Sequence, residues 1–356
     1  MTVSIPLLKD LTEAHGVSGY EEPVSNIVYN YLKDLGSVTK DQIGSLICEK
    51  SGREISPRVM LVGHMDEIGF MVKYITDEGY IKFIPLGGWF DQVLLGQRVT
   101  IHTYIGDITG VIGVKPPHML SADERKKVVE KKDMYIDIGA VSKAEVISAG
   151  VRIGDPIIPK ATFEVMANGK SLLSKAFDDR LGVALVIKAL ESLQERDHPN
   201  TIFGVASVME EVGPRGAKTS VEVVKPDIAI VLEADIAGDV PGMTKEECDI
   251  RLGCGPSLLM YDYLMIPNLK LRDYVIETAQ KCGIPLQLST MAGGATDGAA
   301  IHLYKTGVPT VVIGVPTRHV HSHSSIMHLD DFENASKLVN ELILSFDSKT
   351  VSNFTN

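Results

Sequence analysis

The segment Thr201-Ile202-Phe203-Gly204-Val205-Ala206-Ser207-Val208-Met209-Glu210-Glu211-Val212-Gly213 is a largely apolar run that ends in two adjacent carboxylates and a glycine. Such a run favours a strand buried on both faces, as in a parallel sheet. Successive side chains of a strand point in opposite directions, so Glu210 and Glu211 cannot both face one pocket while the strand stays regular. At the turn that follows, one acid can bind a cation while the other deprotonates a water molecule. For a lone Glu-Glu pair a solvated strand end is the simpler interpretation, so the rest of the chain decides.

A second apolar run, Arg58-Val59-Met60-Leu61-Val62-Gly63, predicts another buried strand that leads directly into His64-Met65-Asp66. His64 and Asp66 are two positions apart, so their side chains project to the same side. A metal-binding histidine usually donates its second ring N–H to a carboxylate. Asp66 could accept that hydrogen bond if the backbone bends, or it could orient a catalytic carboxylate. Alone, the pattern is a weak signal, because a hydrogen-bonded surface histidine is more common than a ligand.

Acidic residues also follow a third predicted strand and precede a strong predicted helix. The apolar run 227–232 ends at Glu233 and Asp235, and Asp178-Asp179 comes just before the helix. Open α/β sheets bind ligands at the carboxyl ends of their strands. Either aspartate could simply cap the helix. As a pair, one could bridge two cations held about 3.5–4 Å apart, while the other caps the helix or supports a histidine.

Histidines are dense after the last predicted core strand, Thr310–Gly314. His319, His321 and His323 follow it within one short loop. Core packing does not explain such a density, so one of them is expected to join the acids at the edge of the sheet.

The pattern changes between the two halves of this α/β chain. From about residue 68 to residue 161 the segments are short, alternate in polarity and are separated by glycines, which is typical of a small antiparallel β domain. We therefore predict a discontinuous catalytic domain, 1–67 plus 162–356, interrupted by an inserted β-barrel-like domain, 68–161. Trp89, the only tryptophan, is expected to pack inside the barrel. Residues 347–356 are expected to form a loose tail.

Composition excludes several classes of protein. The formal charge of −11 over 356 residues argues against nucleic acid or an anionic membrane as the main partner. No apolar stretch is long enough to span a bilayer. The four cysteines form no C-x-x-C pair, so neither a zinc ribbon nor a disulfide framework is indicated. A cytoplasmic location is the default expectation.

The residues at the predicted strand ends form a set of possible metal ligands. They are His64, Asp178, Glu210, Glu211, Glu233 or Asp235, and one of His319, His321 and His323. Imidazole and carboxylate without thiolate suits zinc, cobalt or manganese. Five ligands that share one bridging acid would make two sites, and a further carboxylate would complete a metal-assisted hydrolase.

Five ordered motifs make the chain resemble the M42 aminopeptidases, which include glutamyl aminopeptidases and tetrahedral, self-compartmentalising aminopeptidases. The motifs are Gly63-His64-Met65-Asp66-Glu67-Ile68-Gly69, Ala176-Phe177-Asp178-Asp179-Arg180, Glu210-Glu211-Val212-Gly213, Ala237-Gly238-Asp239-Val240-Pro241-Gly242 and Pro316-Thr317-Arg318-His319-Val320-His321-Ser322. The resemblance covers nearly the whole chain. It implies an α/β fold in which a mixed, largely parallel sheet with helices on both faces is interrupted by a β-barrel-like domain that pairs subunits.

The resemblance also implies roles for individual residues. His64 is expected to bind one metal ion and His321 the other, with Asp178 as the bridge and Glu211 on the His321 side. Glu210 is expected to be the general base.

Two further assignments depend on the same resemblance. Asp66 is expected to support Glu210. The fifth ligand is the point of departure: the family usually has Asp where this chain has Glu233, so Glu233 is expected to serve, with Asp235 as the alternative. His319 and His323 match no ligand position and are expected to be loop or pocket residues.

The implied function is a metal-dependent aminopeptidase that acts on peptides with a free amino terminus. Two divalent ions per subunit are expected, with Zn²⁺ or Co²⁺ as the first candidates and Mn²⁺ as a further one. Members form dimers, some of which assemble further into dodecamers, so a homo-oligomer is expected, with dimer and dodecamer as the alternatives. The alternatives are a glycan hydrolase of the endoglucanase type, a metal-dependent deacylase, and a non-catalytic binding protein. Arg251 is a candidate partner for acidic side chains of a substrate, and an ordinary surface arginine is the alternative.

Overall fold

One mixed sheet of eleven strands forms the centre of the protein, and a separate closed barrel of six strands accompanies it. The computed structural model describes residues 4–355, so the outermost residues of the predicted ranges 1–67 and 162–356 lie outside it. The α-helices are α1 (Ser4–Glu13), α2 (Glu22–Leu32), α3 (Lys143–Ser148), α4 (Phe177–Ser192), α5 (Arg215–Val224), α6 (Leu269–Cys282), α7 (Gly298–Ile301), α8 (Leu329–Ser345) and α9 (Ser348–Ser352).

The strands occur singly or in runs between these helices. They are β1 (Ser37–Lys40), β2 (Leu46–Lys50), β3 (Arg58–His64), β4 (Gly69–Ile75), β5 (Ile81–Leu86), β6 (Arg98–Thr103), β7 (Gly106–Gly113), β8 (Tyr135–Asp137), β9 (Pro156–Pro159), β10 (Glu164–Val165), β11 (Ser171–Ser174), β12 (Thr201–Ser207), β13 (Ile228–Ile236), β14 (Ser257–Asp262), β15 (Gln287–Met291), β16 (Thr310–Arg318) and β17 (Ser325–His328).

Four parallel strands lie at the centre of the large sheet, in the order β12-β3-β13-β16. Strand β12 is buried along its whole length, which is why its sequence is continuously apolar rather than alternating. The register places Ser207 opposite His64. Because the strands are parallel, the residues that follow β3, β12, β13 and β16 meet at one edge of the sheet.

Helices cover both faces of this sheet and bury two apolar cores. The larger core contains the apolar faces of α1, α2, α4, α6 and α8, and the smaller contains those of α5 and α7. Helix α4 packs very close to β3, and glycine at position 63 permits this approach. A Cβ atom on Gly63 would lie only 2.5 Å from the carbonyl carbon of Gly182. Among residues 4–355, no helix has the length and apolarity needed to cross a membrane.

The barrel closes in the order β4-β5-β8-β7-β6-β9. Its core includes Trp89, whose ring stacks on Phe70 with centroids 4.8 Å apart and whose indole N–H donates to the Gly69 carbonyl oxygen at 3.1 Å. The fold prediction of a mixed α/β sheet interrupted by a β barrel is confirmed. The barrel strands lie within the range 68–161, and the domain boundaries themselves remain a prediction.

The prediction of a loose carboxyl-terminal tail is wrong. The tail forms α9 and buries Val351 and Phe354 in the larger core. The Phe354 ring lies 5.5 Å from the Tyr274 ring and 6.1 Å from the Phe346 ring, centroid to centroid. Val351 on α9 and Phe354 in the turn that follows it therefore dock this short segment against the core.

Candidate metal centre

His64 is the last residue of β3 and its imidazole is buried, with 2% of the side chain exposed. Its Nε2 atom lies 3.1 Å from Asp178 Oδ1. Its Nδ1 atom lies 3.1 Å from the carbonyl oxygen of Asp66 and 3.3 Å from Asp66 Oδ1. One ring nitrogen therefore faces the predicted bridging acid and the other faces Asp66, as expected for an oriented ligand histidine.

Asp178 lies between two histidines that are far apart in sequence. Its Oδ1 atom faces His64, and its Oδ2 atom lies 3.3 Å from His321 Nε2. The backbone at Asp178 and Asp179 departs from helical angles although both belong to the first turn of α4. This departure lets the two adjacent carboxylates take different directions.

Asp179 performs a different task from its neighbour. Its Oδ2 atom accepts the backbone N–H of His64 at 3.0 Å, and its Oδ1 atom accepts the backbone N–H of Gly182 at 3.0 Å. Asp179 thus caps the regular part of α4 and ties it to the end of β3. The sequence left open which aspartate would face the cations and which would cap the helix, and the structure assigns capping to Asp179.

Glu210 and Glu211 also have separate partners. Met209 adopts a positive φ of 56°, which turns the chain at the end of β12. Glu211 Oε2 lies 3.4 Å from His321 Nε2, whereas Glu210 Oε2 lies 3.9 Å from His64 Nε2. The two acids therefore approach opposite sides of Asp178.

Asp66 fixes the turn that carries Glu210 and Glu211 by accepting backbone hydrogen bonds from both residues. Its Oδ1 atom accepts the Glu210 backbone N–H at 2.9 Å, and its Oδ2 atom accepts the Glu211 backbone N–H at 3.1 Å. The hydroxyl of Ser18 donates to Oδ2 at 2.6 Å. Ser18 does not cap α2, which begins after Glu21 with no side-chain cap. Asp66 thus positions both glutamates through their backbone.

The structure separates the two candidates for the fifth ligand. Glu233 Oε1 lies 3.7 Å from His64 Nε2. Asp235 lies two residues further along β13, where it accepts hydrogen bonds from the Ser257 hydroxyl and from the Ile236 backbone N–H. The geometry therefore brings Glu233 into the cluster and leaves Asp235 in a hydrogen-bonded position outside it.

The remaining histidines of the loop do not join the cluster. His319 is exposed. His323 is buried, its ring centroid lies 5.3 Å from that of Trp89, and within residues 4–355 neither ring nitrogen has a hydrogen-bond partner. His323 therefore lines the barrel side of the site rather than its centre.

Arg251 is an exposed arginine whose Nε lies 3.4 Å from Asp249 Oδ1.

The electrostatics of the cluster are dominated by buried acids. Burial raises the pKa of Glu210, Glu211 and Glu233 well above the ordinary value, nearby carboxylates add to the effect, and His64 opposes it. Burial alone would also raise the pKa of Asp178, but hydrogen bonds to His321 and His64 outweigh it and hold that pKa below its usual range. The site has more carboxylates than its two imidazoles can balance.

This donor set fits divalent cations. Ligand atoms of His64, Asp178 and Glu211 lie within 4.8 Å of one another, and so do those of His64, Asp179 and Glu233. Glu211 Oε1 is buried and has no hydrogen-bond partner among the described residues. Buried carboxylates need a counter-charge, and imidazole with carboxylate suits zinc-like ions. The cluster could therefore hold metal ions.

Sequence reasoning missed one buried acid beside the site. Asp297 precedes α7, and its Oδ2 atom accepts a hydrogen bond from the Ser207 hydroxyl. Among the carboxylates around Glu210, Asp297 contributes most to raising the Glu210 pKa. The available signal was an aspartate in the glycine-rich segment 292–298, which comes close to Glu210 only through tertiary structure.

Comparisons with known proteins identify the relatives of this chain. The family model described as M42 glutamyl aminopeptidase matches residues 44–338, and a model described as AMPT matches residues 5–27. The glutamyl aminopeptidase of Lactococcus lactis subsp. cremoris is 36% identical over 355 residues, covering 98% of each chain. The crystal structure of a TET aminopeptidase from a marine sediment thaumarchaeote is 49% identical with a TM-score of 0.97, covering 99% of this chain and 98% of that one. The TET1 peptidase of Pyrococcus horikoshii, described as assembling into a tetrahedron or a large octahedral shell, is 34% identical with a TM-score of 0.87, covering 96% of this chain and 100% of that one.

Proposed function

Because the chain belongs to the M42 glutamyl aminopeptidase family, a family of hydrolases that act on amino-terminal residues, we propose that it cleaves the first residue from peptides at a dinuclear metal centre. The observation that carries this proposal is the position of Asp178, whose two carboxylate oxygens lie 3.1 Å from His64 Nε2 and 3.3 Å from His321 Nε2. A single carboxylate that reaches two histidines is placed to bridge two neighbouring cations.

The two cations would share Asp178. His64 and Glu233 would complete one site, and His321 and Glu211 the other. Zn²⁺ and Co²⁺ fit this donor set best, with Mn²⁺ as a further candidate. When bound, such ions polarise a carbonyl group as Lewis acids and lower the pKa of water toward neutrality.

Glu210 is our candidate for the general base. Its raised pKa, caused mainly by burial, suits a group that takes a proton at neutral pH and releases it again. Glu210 would accept a proton from the attacking water and pass it to the leaving amine. Asp66 would hold Glu210 in place through the backbone N–H that it accepts, so we propose a positioning role for Asp66.

Once two cations are bound, the buried acids beyond the proposed ligands would supply the negative charge that selects a free amino terminus. A positively charged α-ammonium group compensates that charge, whereas an acylated amino terminus carries no charge and brings an additional carbonyl group. This difference would restrict cleavage to the first peptide bond.

We also propose that the chain works as a homo-oligomer. The TET1 relative is described as assembling into a tetrahedron or an octahedral shell, and the fold of this chain matches it along nearly its whole length. In this proposal the barrel domain, residues 68–161, pairs subunits into dimers, and dimers assemble further into a dodecamer. Size-exclusion chromatography with light scattering measures the assembly directly.

The experiment that tests the activity is a panel of aminoacyl-p-nitroanilides given to apoprotein that has been reloaded with Zn²⁺, Co²⁺ or Mn²⁺. We expect hydrolysis to require reloading and to be abolished by acetylation of the substrate amine. Release of acetate from the acetylated substrates, with the anilide bond left intact, would favour the deacylase alternative. Hydrolysis of a glucan that persists in EDTA would favour the glycan hydrolase alternative.

A further inference from the structure

A second group of possible metal ligands lies where the barrel meets the core. His15, His102 and Asp107 each offer one ligand atom, and these atoms lie within 4.8 Å of one another. His15 is in the loop between α1 and α2, whereas His102 and Asp107 are on the barrel strands β6 and β7. None of the three belongs to the central cluster, so an ion held here would be separate from it.

The hairpin β6–β7 explains how two of the three ligands meet. Its register places His102 directly opposite Asp107, and directly opposed residues on neighbouring antiparallel strands share one face. His102 Nδ1 lies 2.6 Å from Asp107 Oδ1, and His15 Nδ1 lies 3.6 Å from Asp107 Oδ2. Each oxygen of one carboxylate therefore faces a different imidazole.

The loop that carries His15 is held firmly by its neighbours. The carbonyl oxygen of Gly16 accepts the backbone N–H of Glu67 at 2.9 Å and the Nη2–H of Arg180 at 3.0 Å. Val17 forms an isolated parallel bridge with Glu67. Because these bonds fix the loop before any ligand arrives, little ordering remains to oppose binding.

We propose that His15, His102 and Asp107 bind a Zn²⁺ ion that links the barrel to the core. Two imidazoles and one carboxylate are ligands that Zn²⁺ accepts at about 2.0–2.2 Å, which in a tetrahedral site places the donor atoms about 3.3 Å apart. The separation of His15 Nδ1 and Asp107 Oδ2, 3.6 Å, is close to that spacing, whereas His102 Nδ1 and Asp107 Oδ1, at 2.6 Å, would have to move apart. Small rotations of exposed side chains would close the difference.

The surroundings provide an entry path and a fourth position. His15 and His102 line a groove of about 600 Å³, together with Tyr20 and Glu21. The side chains of His102 and Asp107 are about half exposed, at 53% and 47%. A site with three protein ligands that opens to solvent can take water as its fourth ligand.

The test is a count of bound zinc in the full-length protein. Equilibrium dialysis over a series of free Zn²⁺ concentrations, followed by elemental analysis, gives the ions bound per chain at saturation. We expect H102A and D107N each to bind one ion fewer than wild type. The matched control is H118A, which removes an exposed barrel histidine outside the cluster and should bind as many ions as wild type.

The result is read as a difference from wild type, so it does not depend on how many ions the central site takes or on activity. Equal saturation in wild type, H102A and D107N would overturn the proposal and leave an ordinary hydrogen-bonded His–Asp pair. A loss of one ion in H118A would overturn it as well, because zinc would then bind exposed imidazoles in general. Circular dichroism confirms that the variants compared are folded.

Discussion

The protein contains two clusters of histidines and acids. The one at the edge of the central sheet is buried except for His321, whose side chain is 40% exposed, and the one beside the barrel is largely exposed. In the central cluster, 2% of the His64 side chain and none of the Asp66 side chain is exposed. In the outer cluster, about half of the His102 and Asp107 side chains is exposed. The chemistry of the ligands is similar, and the surrounding medium is different.

That difference decides what each cluster needs. Buried charges interact strongly and lose their hydration, so an excess of carboxylates is costly without a counter-charge. The central cluster has this excess, and its acids have raised pKa values. The outer cluster has one carboxylate for two imidazoles and contacts solvent, so it is stable without an ion. We therefore expect substitutions in the central cluster to have much larger effects.

The largest effect is expected for Glu210→Gln. Removing the general base should lower kcat by about 10²–10⁴-fold, while the metal content stays at the wild-type level because Glu210 is not among the proposed ligands. Steady-state kinetics and elemental analysis of the same preparation measure both quantities.

A matched control for this substitution is Glu277→Gln on α6, where 62% of the side chain is exposed. Its kcat should stay within about twofold of wild type, since exposed substitutions away from special features are nearly neutral. A Glu210→Gln variant that kept near-normal kcat with full metal content would show that the base is another residue.

His321→Ala should instead remove metal. His321 Nε2 contacts both Asp178 and Glu211. Removing a residue that only hydrogen-bonds to a metal ligand weakens metal affinity by about 10–100-fold. Removing His321, a proposed ligand itself, should therefore weaken metal affinity by at least about 100-fold. Titration of apoprotein with Co²⁺ or Zn²⁺ measures this directly.

His319→Ala is a closely matched control, because His319 and His321 both have a positive φ, 58° and 59°. The backbone cost of alanine at these left-handed positions is therefore the same in both variants. Equal metal affinity in the two variants would mean that His321 is not a ligand.

A smaller effect is expected for Asp66→Asn. The two carboxylate oxygens of Asp66 accept the backbone N–H groups of Glu210 and Glu211, but an asparagine has only one acceptor oxygen. One of the two N–H groups would lose its partner, and we expect kcat to fall by about 10–100-fold. Ser18→Ala removes only one neutral donor and should cost less. An Asp66→Asn variant with wild-type kcat would exclude the positioning role.

The sequence predicted the central strands well because their signal is local. Strands β3 and β12 are buried on both faces, so each reads as an uninterrupted apolar run. The parallel arrangement then brings the residues after each run to one edge, and this general rule brings His64 and Glu233 together. Their roles as ligands remain predictions.

The sequence did not predict features that depend on contacts between residues far apart in the chain. Strands β11 and β17 are short, and they are strands because they pair with each other. The role of Ser18 depends on Asp66, 48 positions away. The outer cluster was also missed, because it requires the β6–β7 register and the path of the loop after α1, and neither can be read from an isolated His15.

The smallest effect is expected for the coupling between His102 and Asp107 in the absence of metal. In EDTA, a double-mutant cycle of His102→Ala and Asp107→Asn should give a coupling of about 0.2–1 kcal/mol, the range for exposed ion pairs. Amide hydrogen exchange in the β6–β7 hairpin measures this local opening free energy. The exposed pair Glu277–Lys281 on α6, with 62% and 72% of the side chains exposed, should give a similar value in a parallel cycle. A coupling above about 2 kcal/mol would mean that His102 and Asp107 behave as a desolvated pair, and the contrast between buried and exposed clusters would not hold.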